Sequence, residues 1–294
     1  MVTIKKRVIA GRAYYYLEHS VREKGRVEKR ERYLGRGIPK DIRAIKASFL
    51  YSIYKEKWLD VFEKIRSNFS KEKRLIPKSA SEEELRKFSI RFTYDTQRIE
   101  GSKLTLRETA NLLEAGVAPS GKPIHDVNEA EAHQRIFIEM LKQEKGLSLQ
   151  LVLFWHKKLF ENTKRDIAGK IRKHQVAISG SKFIPPSPAE IYPLLRGFFR
   201  WYERSKHRLH PVELASLAHL KFVTVHPFAD GNGRISRLIM NLILNRNRFP
   251  MINIRYENRN SYYNALERSQ IKRQDQIFLQ WFFRRYVKEY RRYV

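Results

Sequence analysis

The chain has 294 residues, no cysteine and a formal net charge of +29, with 60 Lys and Arg against 31 Asp and Glu. The lack of cysteine excludes disulfide bonds and zinc sites with cysteine ligands, and it fits a cytoplasmic protein. We expect neither a secretory signal nor a membrane protein, because no apolar run approaches the ~18 residues of a membrane-spanning helix.

Residues 1–40 predict a small antiparallel β-sheet of three strands. Segments rich in Val, Ile and Tyr are separated by glycines, and the stretch Glu23-Lys24-Gly25-Arg26 predicts a hairpin turn. These forty residues hold 12 Lys and Arg against four Glu. Such a basic sheet could bind nucleic acid or a protein partner, or it could simply cover one end of the remaining chain.

From residue 41 onward, apolar residues recur at helical spacing and predict a mainly α-helical body. The run Ser81-Glu82-Glu83-Glu84 predicts a capping box that opens a helix ending near Glu100, with Gly101 as its stop. Thr105 then begins the next helix. Several further amphipathic helices follow.

Residues 168–188 interrupt the helical pattern. They contain glycine, β-branched residues and three prolines, which together predict a β-hairpin flap. An extended edge between Lys170 and Phe183 could bind the backbone of another protein by adding a strand. A crossover hairpin with a purely structural role is the alternative.

The stretch HPFADGNGRISR, residues 226–237, concentrates reactive and charged side chains between two predicted helices. Gly231 and Gly233 let backbone N–H groups face outward at the start of the second helix, where an anion is favoured. Arg234 and Arg237 lie three residues apart on that helix, so both could reach phosphate oxygens.

Two further residues of this stretch could take part in chemistry. Asp230 offers a hard oxygen ligand that suits Mg²⁺ bridging phosphates. His226, whose ordinary pKa is about 6.5, could take a proton from a hydroxyl group at neutral pH. Alone, each could be a buried histidine or an ordinary turn residue, but the combination predicts nucleotide-dependent phosphoryl or nucleotidyl transfer.

The same stretch resembles the Fic motif, H-P-F-x-(D/E)-G-N-G-R-x-x-R, and matches it at every specified position. The resemblance extends from about Ser89 to Gln270. Within it, TQRIEG (Thr96 to Gly101) resembles the inhibitory motif of that family, GKIRKHQVAISGSKFIPP its flap and NRNSYYNALERSQ its adenine pocket.

The resemblance implies a mainly α fold, namely a Fic-type helical bundle with a β-hairpin flap, next to the small N-terminal antiparallel sheet. The implied domains are a basic β appendage at 1–40, N-terminal helices with the inhibitory helix at 41–104, and a catalytic core with C-terminal helices at 105–294.

Fic enzymes generally move AMP from ATP to a Ser, Thr or Tyr hydroxyl of a protein, so the resemblance implies roles for the matching residues. His226 would be the general base, Asp230 would bind Mg²⁺ and Phe228 would hold the loop. The substrate ATP would be bound by Gly231, Asn232, Gly233, Arg234, Arg237, Tyr262, Tyr263 and Gln270. Gln270 departs from the family, which often has Asn there, and Tyr262 and Tyr263 could equally be core residues.

Glu100 lies at the C-terminal end of its predicted helix, where the helix dipole disfavours a carboxylate. By resemblance, Glu100 would pair with Arg237, occupy the space of the γ-phosphate and autoinhibit an adenylyltransferase that modifies a target protein and itself. In some members the same glutamate serves AMP removal, so a de-AMPylase is the alternative. Transfer of phosphate or phosphocholine would need departures in the motif that this sequence does not have.

The resemblance also implies partners. The target protein would dock on the flap at residues 169–186, and family members often form homodimers. A different interpretation is a nucleic-acid-associated protein whose basic sheet at residues 1–40 sets its location.

Overall fold

A computed structural model of the chain describes residues 2–23 and 26–294. The chain divides into two compact units, Met1–Glu63 and Lys64–Val294. In chain order the strands and α-helices are β1 (Thr3–Ile9), β2 (Arg12–Glu23), β3 (Arg26–Gly35), α1 (Ile42–Leu75), α2 (Lys78–Ile99), α3 (Leu106–Ala115), α4 (Ile124–Leu141), α5 (Leu149–Phe160), α6 (Pro188–Ser205), α7 (Pro211–Val225), α8 (Asn232–Arg246), α9 (Arg259–Lys272) and α10 (Asp275–Glu289). Lys24 and Gly25, at the centre of the predicted hairpin turn, lie outside the described residues.

The first unit contains the predicted sheet, with strand order β1-β2-β3 and antiparallel pairing throughout. Side chains alternate across a strand, so Leu17 and Val21 of β2 share one face. That face packs against Phe49 and Ile53 of α1 in a common apolar cluster. The prediction of a small N-terminal antiparallel sheet is confirmed.

The second unit is built from helices around α8. Ten successive residues of this helix, from Ile235 to Leu244, are all buried. A helix that is buried on every side must be surrounded by other elements, and α8 packs against α7, α2, α4 and α5. The prediction of a mainly helical body is confirmed. None of the helices described is both long and apolar enough to cross a membrane.

Helix α2 ends where the sequence predicts but begins earlier. Gly101 adopts a φ of +105°, and the N–H groups of Gly101 and Ser102 close the helix on the carbonyls of Arg98 and Gln97. This pattern is a Schellman motif, and it makes Glu100 the C-cap. The predicted capping box at Ser81 is wrong, because α2 starts one turn earlier, behind Pro77.

Proline explains the earlier start. Pro77 has a φ of −55°, which suits a helix start, and the N–H of Ser81 already donates to the Pro77 carbonyl within the first turn. Ser81 therefore lies inside the helix and caps nothing.

The segment at 169–187 contains no paired strand, so the β-hairpin pairing predicted there is not formed. Side chains join its two arms instead. Arg172 Nη2 donates to the carbonyl of Pro186 over 2.6 Å, and Gln175 Nε2 donates to that of Pro185 over 2.9 Å. Both proline nitrogens lack the hydrogen that a strand ladder requires, which explains the missing pairing.

Candidate active site

A cavity of about 410 Å³ opens between the end of α2, the start of α8, α9 and the flap segment. It is the pocket into which most of the sequence-predicted site residues converge. Of these residues, the cavity is lined by Glu100, His226, Gly233, Arg237, Tyr262, Tyr263 and Gln270. The four others, Asp230, Gly231, Asn232 and Arg234, belong to the adjoining loop and the start of α8.

His226 is held as a neutral base at the C-cap of α7. Its backbone is left-handed, with φ 51° and ψ 55°, and its Nδ1 lies 3.2 Å from the carbonyl oxygen of Val223. Because a carbonyl can only accept, Nδ1 carries the proton and Nε2 keeps its lone pair. Burial lowers the pKa of His226 and outweighs the hydrogen bond to Val223. A neutral imidazole therefore borders the cavity at pH 7.

Glu100 and Arg237 form an ion pair at the cavity, with Oε1 and Nη2 2.5 Å apart. The Arg237 side chain is only 1% exposed. Its Nε and Nη2 also donate to the hydroxyl and carbonyl oxygens of Thr96, over 3.2 and 3.3 Å, and Nη1 lies 3.4 Å from the hydroxyl of Tyr262. Two residues of the last turn of α2 thus hold this arginine.

The carboxylate of Glu100 also covers the first turn of α8. A Cβ added to Gly233 would overlap Glu100 Oε1 and would lie 3.0 Å from Arg237 Nη1. An anion is stabilised at a helix N-terminus by unpaired N–H groups and the helix dipole. The carboxylate of Glu100 therefore lies against the N-terminal end of α8, where the helix dipole stabilises it, although the residue belongs to the C-terminal end of α2. The same position would also attract a phosphate.

Asn232 shapes the loop from within. Its Oδ1 accepts the N–H of Phe228 over 2.9 Å, and its Nδ2 donates to the Phe228 carbonyl over 2.8 Å. The ring of Phe228 is fully buried and stacks on His156, with ring centroids 3.8 Å apart. Both polar atoms of the Asn232 side chain are thereby occupied, which differs from the phosphate contact that the resemblance implies for it.

Asp230 and Arg234 belong to an ion-pair cluster beside the cavity. Arg234 Nη2 lies 2.9 Å from Asp230 Oδ1, while its Nη1 contacts Glu129 and lies 3.2 Å from Gln97 Oε1. Arg234 is thus turned toward protein acceptors, and its contact with phosphates stays a prediction. Glu129 and Gln97 carried no signal in the sequence, because they come from other helices.

The surroundings of Asp230 are compatible with a magnesium ion. Burial raises its pKa, but Arg234 and Lys164 outweigh burial, so the pKa is lowered and the group is ionised. Its Oδ2 accepts a hydrogen bond from Nζ of the partly exposed Lys164 over 2.5 Å. In the described ranges, 2–23 and 26–294, no group of three or more acidic or His side chains could hold a metal. One carboxylate completed by phosphate oxygens and water is an arrangement that Mg²⁺ accepts.

Tyr262 and Tyr263 both line the cavity but differ in burial. The buried Tyr262 hydroxyl lies 2.9 Å from His219 Nε2, and burial lowers the pKa of His219 to about 3. His219 is therefore neutral and accepts this proton, which leaves the Tyr262 oxygen to accept from Arg237. The half-exposed Tyr263 donates to the carbonyl of Ile99 over 2.8 Å, and burial raises its pKa to about 12.

Arg172 is a site residue that the sequence did not reveal. Its Nε donates to the carbonyl of His226 over 2.8 Å, and its own N–H donates to the carbonyl of Pro227 over 3.0 Å. Since its Nη2 also reaches Pro186, one buried guanidinium connects the flap to the backbone of His226.

Glu267 is a second such residue, and it holds the tip of the flap segment against α9. Its Oε1 accepts from the N–H of Lys182 over 2.5 Å and lies 3.4 Å from the Ser181 hydroxyl. It lies four residues after Tyr263, on the same helix face, and this spacing could have identified it. Gln270 also lines the cavity, and its Nε2 donates to the Thr224 hydroxyl over 3.1 Å.

The conformation and packing of Gly231 predict that a side chain at this position lowers the free energy of unfolding. Its φ is +81°, and an added Cβ would lie 2.7 Å from Cε2 of Phe160. Gly231→Ala should therefore cost about 1–2 kcal/mol for the left-handed backbone and a further ~1–3 kcal/mol for overpacking. Gly180→Ala is the matched control, since Gly180 has φ +73° but nothing within 4 Å of the added atom. Urea unfolding should show the larger loss for Gly231→Ala, and equal losses would contradict this account.

The chain resembles known proteins over the region that contains the motif at residues 226–237. Residues 146–244 match the model of the Fic/DOC family. The protein adenylyltransferase Fic of Drosophila yakuba is 36% identical over 179 residues, which are 59% of this chain and 36% of that protein. Its counterpart from Nematostella vectensis is 33% identical over 181 residues, 60% of this chain and 42% of that protein. The match thus spans less than half of each of these relatives.

Two solved structures extend the comparison beyond the motif. A Fic domain containing signaling protein from Bacteroides thetaiotaomicron is 27% identical with a TM-score of 0.68, over 77% of this chain and 95% of that one. Fic-1 from C. elegans is 29% identical with a TM-score of 0.74, over 86% of this chain and 76% of that one. Residues 146–244 of this chain therefore match the Fic/DOC family model, and the chain has a mainly helical Fic-like fold, with protein adenylyltransferases among its relatives.

Proposed function

We propose that this chain is a protein adenylyltransferase, which moves AMP from ATP to a Ser, Thr or Tyr hydroxyl of a target protein and of itself. The observation that carries the proposal is the state of His226. Its Nδ1 proton is held by Val223, its pKa is lowered, and it borders the same cavity as Gly233 and Arg237. A proton acceptor and an anion site therefore meet in one pocket.

In the proposed reaction, Nε2 of His226 takes the proton of the target hydroxyl while the hydroxyl oxygen attacks the α-phosphorus. A new P–O bond forms, the P–O bond to the β-phosphate bridge breaks, and pyrophosphate leaves with that electron pair. AMP is then joined to the target through a phosphodiester, and His226 later loses its proton to solvent.

The start of α8 would hold the phosphates during this reaction. The backbone N–H of Gly233 and the helix dipole favour their negative charge, while the N–H of Gly231, which would also bind phosphate, donates to Asp230 Oδ1 in this structure. Arg237, once released from Glu100, offers a charge-assisted contact for the γ-phosphate. Bound Mg²⁺, with Asp230 as its ligand, would neutralise further phosphate charge. Tyr262, Tyr263 and Gln270 also line the cavity, and they would contact the adenine.

Glu100 would keep the enzyme inactive. Its carboxylate occupies the anion position at the start of α8 and neutralises Arg237. ATP would still enter, but its γ-phosphate could not share that position with a carboxylate, so the α-phosphorus would be turned away from His226. Release would require the Glu100 carboxylate to move away from Arg237.

The target protein would dock on the flap at residues 169–186. No strand ladder pairs the two arms of this segment. A target segment could therefore add to it as a strand, which fixes the hydroxyl near His226 through backbone contacts and places few demands on the target sequence.

Labelled nucleotide tests the proposed reaction. Glu100→Gly, incubated with Mg²⁺ and ATP labelled at the α- or the γ-phosphate, should incorporate the α-label alone, into itself or into proteins of a cell lysate. Glu100→Gly combined with His226→Ala is the matched control and should incorporate neither label. Incorporation of the γ-label would contradict AMP transfer. Release of AMP from adenylylated protein by the unaltered chain, with no labelling by any variant, would instead favour AMP removal.

A further inference from the structure

The sheet of the first unit has a second face, which α1 does not cover. Side chains opposite in direction to Leu17 and Val21 point to this face. Three of them are tyrosines, and their rings lie together. The ring centroid of Tyr33 lies 6.3 Å from that of Tyr14 and 5.2 Å from that of Tyr16. Tyr33 is 52% exposed. We call this surface, residues Tyr14, Tyr16, Tyr33, Lys5, Arg7, Arg12 and Lys29, the tyrosine face.

Two cations lie beside the ring of Tyr16. The register places Lys5 directly beside Tyr16, and the Arg7 guanidinium lies 4.5 Å from the centroid of the Tyr16 ring. Two acids share the face, but each is paired: Glu18 lies 4.0 Å from Lys5, and Glu31 contacts Arg7. Lys5, Arg7, Arg12 and Lys29 therefore leave the tyrosine face with an excess of positive charge.

We propose that the tyrosine face binds single-stranded nucleic acid. The exposed ring of Tyr33 offers a flat surface on which an unpaired base can stack, and neighbouring Lys and Arg side chains attract the adjoining phosphates. Duplex nucleic acid hides its base faces, so only its phosphates and groove edges could reach these rings. The combination of stacking surfaces with positive charge selects a single strand over a duplex, and over an acidic polypeptide, which has charge but few rings.

Fluorescence anisotropy of a labelled single-stranded oligonucleotide of about 16 nucleotides, titrated with the full chain, tests the proposal. Tyr33→Ala should weaken binding about tenfold, because each base–aromatic stack contributes roughly that factor or more. Tyr33→Phe keeps the ring and should bind as the unaltered chain does. Tyr192→Ala is the matched control, since Tyr192 is a tyrosine of similar exposure, 57%, on α6.

A second pair of variants tests the charge. Lys5 and Lys87 are both exposed and both paired with a glutamate, at 4.0 and 3.4 Å. Lys5→Gln should reduce the slope of log Kd against log salt by about 0.7, and Lys87→Gln should leave it unchanged.

Three outcomes would overturn the proposal. These are equal losses for Tyr33→Ala and Tyr192→Ala, equal or tighter binding of a duplex of the same length at the same salt, and displacement of the oligonucleotide by polyglutamate at equal charge concentration. Circular dichroism of Tyr33→Ala should match that of Tyr33→Phe. This match would show that weaker binding by Tyr33→Ala does not come from loss of the sheet.

Discussion

Glu100→Gly should raise the rate of AMP transfer by about 5–150-fold, the range expected when a coupling of about 1–3 kcal/mol between two sites is removed. The carboxylate at the start of α8 and its ion pair with Arg237 are both lost in this variant, so a γ-phosphate can occupy their place. Initial rates with α-labelled ATP measure the effect. Glu100→Gln keeps the side-chain volume but removes the charge, and it should recover most of the increase if the inhibition is electrostatic. An unchanged rate in both variants would contradict autoinhibition by Glu100.

The same substitution should have an opposite effect on stability. Arg237 is 1% exposed, and removal of Glu100 leaves it without its anionic partner. Breaking a buried ion pair typically costs about 3–5 kcal/mol, and the smaller end applies here because the Glu100 side chain is 24% exposed. Without nucleotide, Glu100→Gly should therefore unfold at a lower temperature than the unaltered chain.

Bound nucleotide should reverse much of this loss, since a phosphate replaces the missing carboxylate beside Arg237. Ligand that binds only the folded state raises the melting temperature by mass action. Thermal unfolding with and without Mg²⁺ and ATP should thus show a larger upward shift for Glu100→Gly than for the unaltered chain. Equal shifts would mean that Glu100 does not compete with the phosphates.

His226→Ala should reduce transfer in the Glu100→Gly background by about 10²–10⁴-fold, the usual contribution of a general base. The pH dependence of the transfer rate of Glu100→Gly, with His226 in place, identifies the base independently. Burial lowers the pKa of His226 below its ordinary 6.5, so the neutral form persists as pH falls and is lost only below that value. The negative charge of Glu100 raises this pKa. Removing that charge should move the acid limb lower still.

Initial rates of Glu100→Gly between about pH 5 and 8, where histidine ordinarily titrates, measure this limb. Its midpoint should lie below 6.5, the ordinary value for histidine. His125→Ala is the control, since His125 is an exposed histidine on α4 and its loss should leave both rate and profile unchanged. A midpoint at or above 6.5 would indicate a different base.

Features with local causes could be predicted from the sequence. The end of α2 at Glu100 follows from Gly101, which takes the left-handed conformation that a helix stop requires. Thr105 caps α3 through the N–H of Glu108, again within four residues. The motif from His226 to Arg237 is equally local, and five of its specified positions lie in the loop that joins α7 to α8.

Features that depend on distant partners could not be predicted. Arg172 binds carbonyls at positions 174, 186 and 226, and nothing in its neighbourhood signals that role. The contact of Arg234 with Glu129 likewise joins two helices that lie far apart in the sequence. The flap does not form the predicted hairpin, and the reason is local: its two adjacent prolines, Pro185 and Pro186, lack the N–H groups that strand pairing requires.

Because Glu100 is the C-cap of α2, the contact that we propose to be inhibitory lies at a helix end. Helix ends fray at a lower free energy than helix interiors, and fraying of the last turn would withdraw Thr96 and Glu100 from Arg237 together. The fraction of molecules able to transfer AMP would then be set by the unfolding equilibrium of this one helical turn. Under the proposed autoinhibition, the chain would therefore keep a low basal rate of AMP transfer, and this rate would rise with temperature even when no activator is present.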